Sequence, residues 1–389
     1  MINVATEPYS DPYATEERQA LADVATRFVE KHITDRHDQF EREGRLPRDL
    51  HEAAAAAGLL GLGFPEDVGG SGGTLADVLV RDEAMLYAGA SSGLMSALFT
   101  NGISCPHIAG HGTPEQVARW VAPTLAGVLI GSLAITEPGG GSDVNNLTSR
   151  ATKDGDHFIV NGAKTYITSA TRADYFTTTV RTGGPGAGGI SLLVIERDSE
   201  GLEVSAPLDK MGWRCSDTAE LAFTDVRVPA SHLVGEENMG FAYIGENFVG
   251  ERIGLAVHGY GLAQRCLDLT VQWCRDRETF GRSLMGRQVV RHKLVRMRES
   301  IEASRAYARQ VTLRAAAGEQ VVAEACMAKN MAVATAEFVA NEAVQLHGGM
   351  GYMTGTEVER HYRDARLLGI GGGATEVLTD LAAKLLGYG

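Results

Sequence analysis

Glycine-flanked hydroxyls and aromatic residues recur at points where they would suit a flat, hydrogen-bonding ligand. The stretch ITEPGGGSD (135–143) puts the hydroxyls of Thr136 and Ser142 on a loop whose glycines let the backbone approach a ligand closely. Taken alone, it fits a tight turn between domains equally well. Downstream, TYITS places Tyr166, Thr168 and Ser169 at a strand end. RETFGR (277–282) adds a cation and a ring, Arg277 and Phe280. QLHGGMGY (345–352) adds a glycine-rich break, whose plain reading is a helix C-cap and a turn.

Other patterns carry less. Gly184, Gly186 and Gly189 match GxGxxG, but a strand, ISLLVI, follows where dinucleotide binding needs a helix. GGSGG around Ser71 and GASSG around Ser91 match the nucleophile-elbow pattern of a serine hydrolase. Neither follows a buried strand, and both have a helical context. His107 and His111 lie four apart, as two metal ligands on a helix would. Gly110 and Gly112 should interrupt that helix, and no glutamate lies between the pair, so loop histidines are expected and no metal site.

The elements that must position these residues fall into three regions of a 389-residue chain, a length that suits two or three domains. Residues 1–128 read as a helical domain: Leu21, Val24, Ala25, Phe28 and Val29 recur at helical spacing. From 129 to 237 the texture is that of short strands and turns, with a hairpin expected at Asn161-Gly162 and an antiparallel barrel or sandwich overall. From 238 to 389 a helical period returns in Phe241, Ile244, Phe248, Ile253, Ala256, Val257 and Tyr260. Further helices are expected at about 285–317, 319–347 and after GIGGGATEV, giving a four-helix bundle. The fold class is therefore mainly α with a central β-domain.

Composition narrows the partners. Lys and Arg total 36 against 49 Asp and Glu, a net charge of −13 that disfavours nucleic acid. No apolar run is long enough for a membrane span, and the N-terminus has neither the basic start nor the apolar core of a signal peptide. The five scattered cysteines form no CxxC pair and suit reduced thiols in a cytoplasm.

The strings ITEPGGGSD, NGAKTYIT, RETFGR and QLHGGMGY, with KMGWRCSDTAELAFTDVRVP and RDARLLGIGGGATEV, resemble in order and spacing the acyl-CoA dehydrogenase family of flavoproteins, over about residues 15 to 387. The resemblance implies FAD between the β-domain and the bundle. Leu133, Ile135, Thr136, Gly141 and Ser142 would hold the flavin and its phosphates, and Thr168 would complete that wall. Tyr166 stands where the family usually has Trp, which implies weaker packing on the isoalloxazine rather than lost binding. Arg277, Phe280, Gln288, Gln345 and Gly349 resemble residues that reach FAD from a neighbouring subunit, implying a homo-oligomer, as a tetramer built from two dimers. Ala374 sits where many relatives have Thr, and Glu376 would lie near the adenine or ribityl side.

The implied reaction removes the α-hydrogen of an acyl-CoA as a proton and the β-hydrogen as a hydride. A carboxylate can take that proton only if the thioester carbonyl is polarised and the base is desolvated. The family's base most often occupies the second place of a Tyr-Glu-Gly-Thr string, which here reads Gly371, Gly372, Gly373, Ala374. Gly372 takes no proton, though its N–H can serve the thioester oxygen. A subgroup including isovaleryl-CoA and long-chain acyl-CoA dehydrogenases draws its base from the long helix after the β-domain, at a Glu-Arg string matched by Glu251-Arg252. By itself Glu251 reads as a solvated helical glutamate in an ion pair; its place near the apolar stripe and the vacancy at Gly372 favour the base. Glu137, expected to be structural, and Glu376, expected to favour the helix dipole, are the rivals. Ser142, Phe248, Arg252 and Gly373 are expected to contact substrate, and residues 89–99 to line the acyl pocket, with a lean toward medium-to-long or branched chains. The resemblance further implies an electron-transferring flavoprotein as acceptor and a step of fatty-acid β-oxidation. Alternatives are an acyl-CoA oxidase using oxygen, a flavin-containing DNA-binding relative and a serine hydrolase.

Overall fold

The computed structural model describes residues 11–389. Its first part is helical: α1 (Glu16–His32), α2 (His37–Glu43), α3 (Arg48–Ala56), α4 (Leu75–Tyr87), α5 (Ser92–Leu98), α6 (Asn101–Ser104), α7 (Pro106–His111), α8 (Pro114–Gln116) and α9 (Ala122–Leu125). Local sequence starts and stops them. Thr15 caps α1 by accepting from the Arg18 N–H, with Glu16 and Glu17 in its first turn and Lys31 and His32 in its last. Gly110 does not break α7, so His107 and His111 share one short helix after all. Pro106 starts it without needing an N–H partner, and it ends before the extended Gly112.

Seven strands follow: β1 (Gly131–Ala134), β2 (Arg150–Asp154), β3 (His157–Thr168), β4 (Tyr175–Arg181), β5 (Ile190–Glu196), β6 (Leu202–Val204) and β7 (Thr218–Pro229). They form one sheet in the order β1-β4-β2-β3-β7-β6, with β5 also on β4. Pairing is mostly antiparallel, as expected, but β1 runs parallel to β4, and β2 meets β4 in parallel at Arg150 and Arg181. Phe158, Val160, Ile167, Phe176, Val180 and Ile195 fill one face. All of β4 is buried. Its far side meets the N-terminal helices, where Tyr175 packs beside Trp120 and Thr177 donates its hydroxyl to Ser104 O at 3.0 Å.

The turn expected at Asn161-Gly162 is absent. β3 runs straight through it, and the chain reverses earlier, between Asp154 and His157. The Asn161-Gly162 pair instead makes a bulge against β7, where the register shifts between Val160 and Gly162. Glycine is required there: φ is +144°, and a Cβ would lie 2.5 Å from Ser149 Oγ.

The last part begins with α10 (Gly240–Asp276), whose 37 residues span roughly 55 Å. The hairpin β8 (Glu278–Thr279) and β9 (Arg282–Ser283) leads to α11 (Gln288–Ala316), α12 (Val322–His347), α13 (Gly349–Tyr352), α14 (Glu357–Leu368) and α15 (Thr375–Leu385). Ile253, Ala256, Val257 and Tyr260 of α10 pack with Ala325, Ala328 and Ala332 of α12. Gly259 permits that approach, since a Cβ there would sit 2.8 Å from Ala332 O. Helix α14 lies outside the helices expected from the sequence. Its many charges mask a stripe of Val358, Ala365 and Leu368 that is buried against the bundle.

Candidate active site

Glu251 lies one third of the way along α10, on the turn before Leu255. The segment between α14 and α15 brings Gly372 against it. A Cβ on Gly372 would stand 3.3 Å from Glu251 Oε1 and 2.1 Å from Leu255 Cδ1, and its φ of +63° favours glycine in any case. The Glu251 carboxyl therefore occupies the neighbourhood that a side chain at 372 would enter. It accepts no hydrogen bond and joins no ion pair among the described residues, so the solvated-pair reading does not hold. Burial pushes its pKa up, opposed by the charges of Arg252 and Lys329.

A narrow cavity opens beside this carboxyl. Gly102, Ile103, His107, Leu133, Ile244, Asn247 and Phe248 line it with Glu251. Leu133 comes from β1, so the structure brings one residue of the expected cofactor wall into the same space as the base and Phe248. Residues 89–99 do not line this cavity. Leu94, Met95, Ala97 and Leu98 face the core instead, and Trp213 lies against Gly93. Arg252 is buried, its guanidinium 5.0 Å from the Phe248 ring centroid and its Nε without a partner among the described residues.

The sheet edge carries the other expected residues. Ile135 and Thr136 follow β1, and Gly141 and Ser142 are exposed in the loop beyond. Glycines 139 and 140 of that loop face open space. Tyr166 is 69% exposed with a φ of +60°, its ring standing off the sheet, while Thr168 closes the strand. Ser169, by contrast, is buried and accepts from Arg172. Glu137 is bound at 2.8 Å to Lys164 Nζ, and accepts from Thr148 N and Oγ1 and from Ser149 N.

Several expected residues lie elsewhere. Arg277 is twenty-six residues after Glu251, roughly 39 Å along the helix axis. Phe280 on the β8–β9 hairpin is 98% exposed, and Gln288, Gln345 and Gly349 are also at the surface. Trp273 Nε1 donates to Leu346 O at 3.2 Å, which ties the hairpin end of α10 to the end of α12. These five residues thus form a group of their own, remote from Glu251. Ala374 is the N-cap of α15 and offers no capping side chain; Gly373 and exposed Glu376 flank it.

The hydrolase and metal patterns have no supporting geometry. Ser91 is fully buried as the N-cap of α5, accepting from Leu94 N. Ser71 sits in an irregular loop rather than beside a helix end. His111 bonds Glu246 and His107 meets Asn247, and no group of three metal-ligating side chains forms among the described residues. No described helix is long and apolar enough to cross a membrane. The cysteines are all buried and free.

One residue that sequence reading passed over is Lys329 of α12. It is fully buried, and its Nζ donates to Gly371 O at 2.9 Å and Gly373 O at 2.7 Å. Burial pulls its pKa down to about 8, against the pull of Glu251. Its only signal in the sequence is position: a lysine amid the small and apolar residues of ACMAKNMA.

The chain matches the N-terminal, middle and C-terminal domains of acyl-CoA dehydrogenase at residues 15–128, 132–226 and 238–387. It is 34% identical to the mitochondrial long-chain specific acyl-CoA dehydrogenase of Rattus norvegicus, over 95% of this chain and 86% of the relative. A crystal structure described as a probable acyl-CoA dehydrogenase from Mycobacterium abscessus superimposes with a TM-score of 0.95 and 57% identity, covering 96% of this chain and all of the other. A glutaryl-CoA dehydrogenase from Mycobacterium smegmatis, solved in complex with FADH2, shares the fold at a TM-score of 0.90 and 24% identity, covering 96% and 95% of the two chains.

Proposed function

Because the chain belongs to the acyl-CoA dehydrogenase family, an oxidoreductase family, we propose that it converts an acyl-CoA thioester to the trans-2-enoyl-CoA with Glu251 as the base. The observation that carries this reading is the 3.3 Å between Glu251 Oε1 and the Cβ position of Gly372. A base offered from α10 and a base offered from residue 372 would serve the same point in space.

The residues present fit FAD. Tyr166 is exposed near the end of β3, Thr136 O accepts from the neighbouring Thr165 N at 2.9 Å, Ser142 is exposed in the following loop, and the glycines of that loop leave room for a close approach. Leu133, Ile135, Gly141 and Thr168 are assigned to the same wall, and Ala374 and Glu376, at the start of α15, to the same cofactor. Held by these residues, FAD would supply the redox chemistry, as the acceptor for the substrate's β-hydrogen and its electron pair.

The chain's own residues do the acid–base work. Desolvation raises the Glu251 pKa above the ordinary carboxylate value, the direction that makes it a stronger base for proton abstraction. The Gly372 N–H polarises the thioester oxygen. Phe248 and Arg252 bound the substrate on the α10 side, and Gly373 and Ser142 close it elsewhere. Electrons leave to an electron-transferring flavoprotein. The remote group of Arg277, Phe280, Gln288, Gln345 and Gly349 serves the FAD of a second subunit. Exposed Tyr352 and Met353 beside it suit that interface, at 79% and 52% exposure. Five free cysteines favour the cytoplasm.

Replacing Glu251 with Gln tests the base. The variant should purify yellow and FAD-loaded yet fail to bleach anaerobically with any member of an acyl-CoA panel. Bleaching at the normal rate would reject the assignment. The same panel, read on the unaltered protein, identifies the chain length.

A further inference from the structure

Three successive glycines, 371 to 373, have no side chains to anchor them, and two sit at positive φ, +63° for Gly372 and +100° for Gly373. Such a segment is conformationally loose by itself. Gly371 N–H donates to Leu367 O at 2.9 Å, and the carbonyls on either side of Gly372 are held by Lys329 Nζ. The peptide between Gly371 and Gly372 is trans, so its C=O and N–H point in opposite directions. With the Gly371 carbonyl tied to Lys329, the Gly372 N–H must aim away from it. That N–H has no acceptor among the described residues.

A buried ammonium normally has a carboxylate bound to it. Lys329 has none within ion-pair distance among the described residues; the carboxylate that feels its charge most is Glu251. We propose that Lys329 is the positioning residue of this site: it sets the direction of the Gly372 N–H as the donor to the thioester oxygen, and its charge stands beside the Glu251 carboxyl. This inference rests on Glu251 being the base.

Other charges around Glu251 are few. Arg252 adjoins it on α10, Lys329 acts on it from α12, where Cys326 feels the same two cations, and His107 lines the cavity from α7. Burial brings the His107 pKa down to about 4, so it is neutral near pH 7. Arg252 and Lys329 are therefore the cations that lower the Glu251 pKa, and removing one must raise it.

The test compares the FAD-loaded protein with Lys329→Met, with Glu251→Gln in parallel. Three quantities are read: anaerobic flavin reduction by acyl-CoA against pH, ionisation of bound acetoacetyl-CoA from its enolate absorbance, and FAD content with thermal midpoint. Lys329→Met should keep its FAD and slow reduction by roughly 100-fold, as loss of one oxyanion donor does. The acid limb of its profile should move up by about one pH unit, and the bound probe should ionise at correspondingly higher pH. A purely structural lysine would lower the thermal midpoint and leave both pH dependences where they were; that result overturns the proposal. Should Lys329→Met not accumulate folded, Lys329→Gln, which keeps N–H donors without charge, is judged by the same shift of the acid limb. Reduction lost in Glu251→Gln but unaltered in rate and pH dependence in the Lys329 variants rejects the role of Lys329 alone. Normal reduction in Glu251→Gln removes the base and this inference with it.

Discussion

Two glutamates sit beside buried lysines in this protein, and their surroundings are opposite. Glu137 receives donors from Lys164, Thr148 and Ser149. Burial would raise its pKa, but the Lys164 charge and these donors outweigh it and bring it down to about 2. Glu251 has a lysine nearby too, yet Lys329 directs its hydrogen bonds at Gly371 and Gly373. Left without donors, Glu251 has its pKa raised by burial. The lesson is that proximity of a lysine does not decide a carboxylate's behaviour. Direct contact does: the Lys164 charge at ion-pair distance, with hydrogen bonds to the charged form, replaces the water that burial removed. One pair is a fastener of the sheet edge; the other keeps a carboxyl ready for a proton.

The contrast can be broken most forcefully at Glu251. Glu251→Gln should lower flavin reduction by up to roughly 10⁴-fold, the upper range for a general base, with the thermal midpoint unchanged. Glu137→Gln should do the reverse, leaving Lys164 buried without its anion and costing about 3–5 kcal/mol of stability by denaturant titration. If Glu137→Gln instead proved as stable as the parent, the sheet-edge pair would not be the fastener described.

Acid offers a third handle. The folded-state pKa of Glu137, about 2, lies below the ordinary 4.5, so its contribution is complete above pH 4.5 and is lost as pH falls toward 2. About 3 kcal/mol should disappear over that window in the parent and not in Glu137→Gln, measured by unfolding midpoints against pH.

Moving the base back to residue 372 sharpens the comparison further. Gly372→Glu in the Glu251→Gln background should stay inactive, because its Cβ would lie 2.1 Å from Leu255 Cδ1. Adding Leu255→Ala should restore a small fraction of the rate, and equal recovery without that change would show the crowding to be unimportant. The smallest effect is expected at Ala374. Thr at this uncapped N-cap should add about 1 kcal/mol to stability, seen as a higher thermal midpoint without a change in the pH profile of reduction.

Much of the fold was legible because periodicity is local. The helical stripe of Ile253, Ala256, Val257 and Tyr260 and the strand textures of 129–237 read correctly. Where local signals compete, reading failed. Asn161-Gly162 has turn chemistry, but β7 recruits it as a bulge. Gly110 should have ended α7, yet the helix carries it through to His111. In α14 the charges of Glu357, Glu359, Arg360 and Arg363 hid the apolar stripe between them. The site was legible mainly through resemblance, and Lys329 only as a lysine set among small and apolar residues, a weak signal because a lysine in a helix ordinarily points to water.

What the residues determined unaided is what chemistry each position can and cannot perform: glycine at 372 has no proton acceptor, and glutamate at 251 has one. Which of them meet was decided in three dimensions. Residues 251, 329 and 372 are 78 and 43 positions apart along the chain, and only the packing of α10 on α12 and the return of the 369–374 segment bring them together. A carboxyl's affinity for a proton is set by the water it loses and the charges it gains through space, and neither is written in its neighbours along the chain.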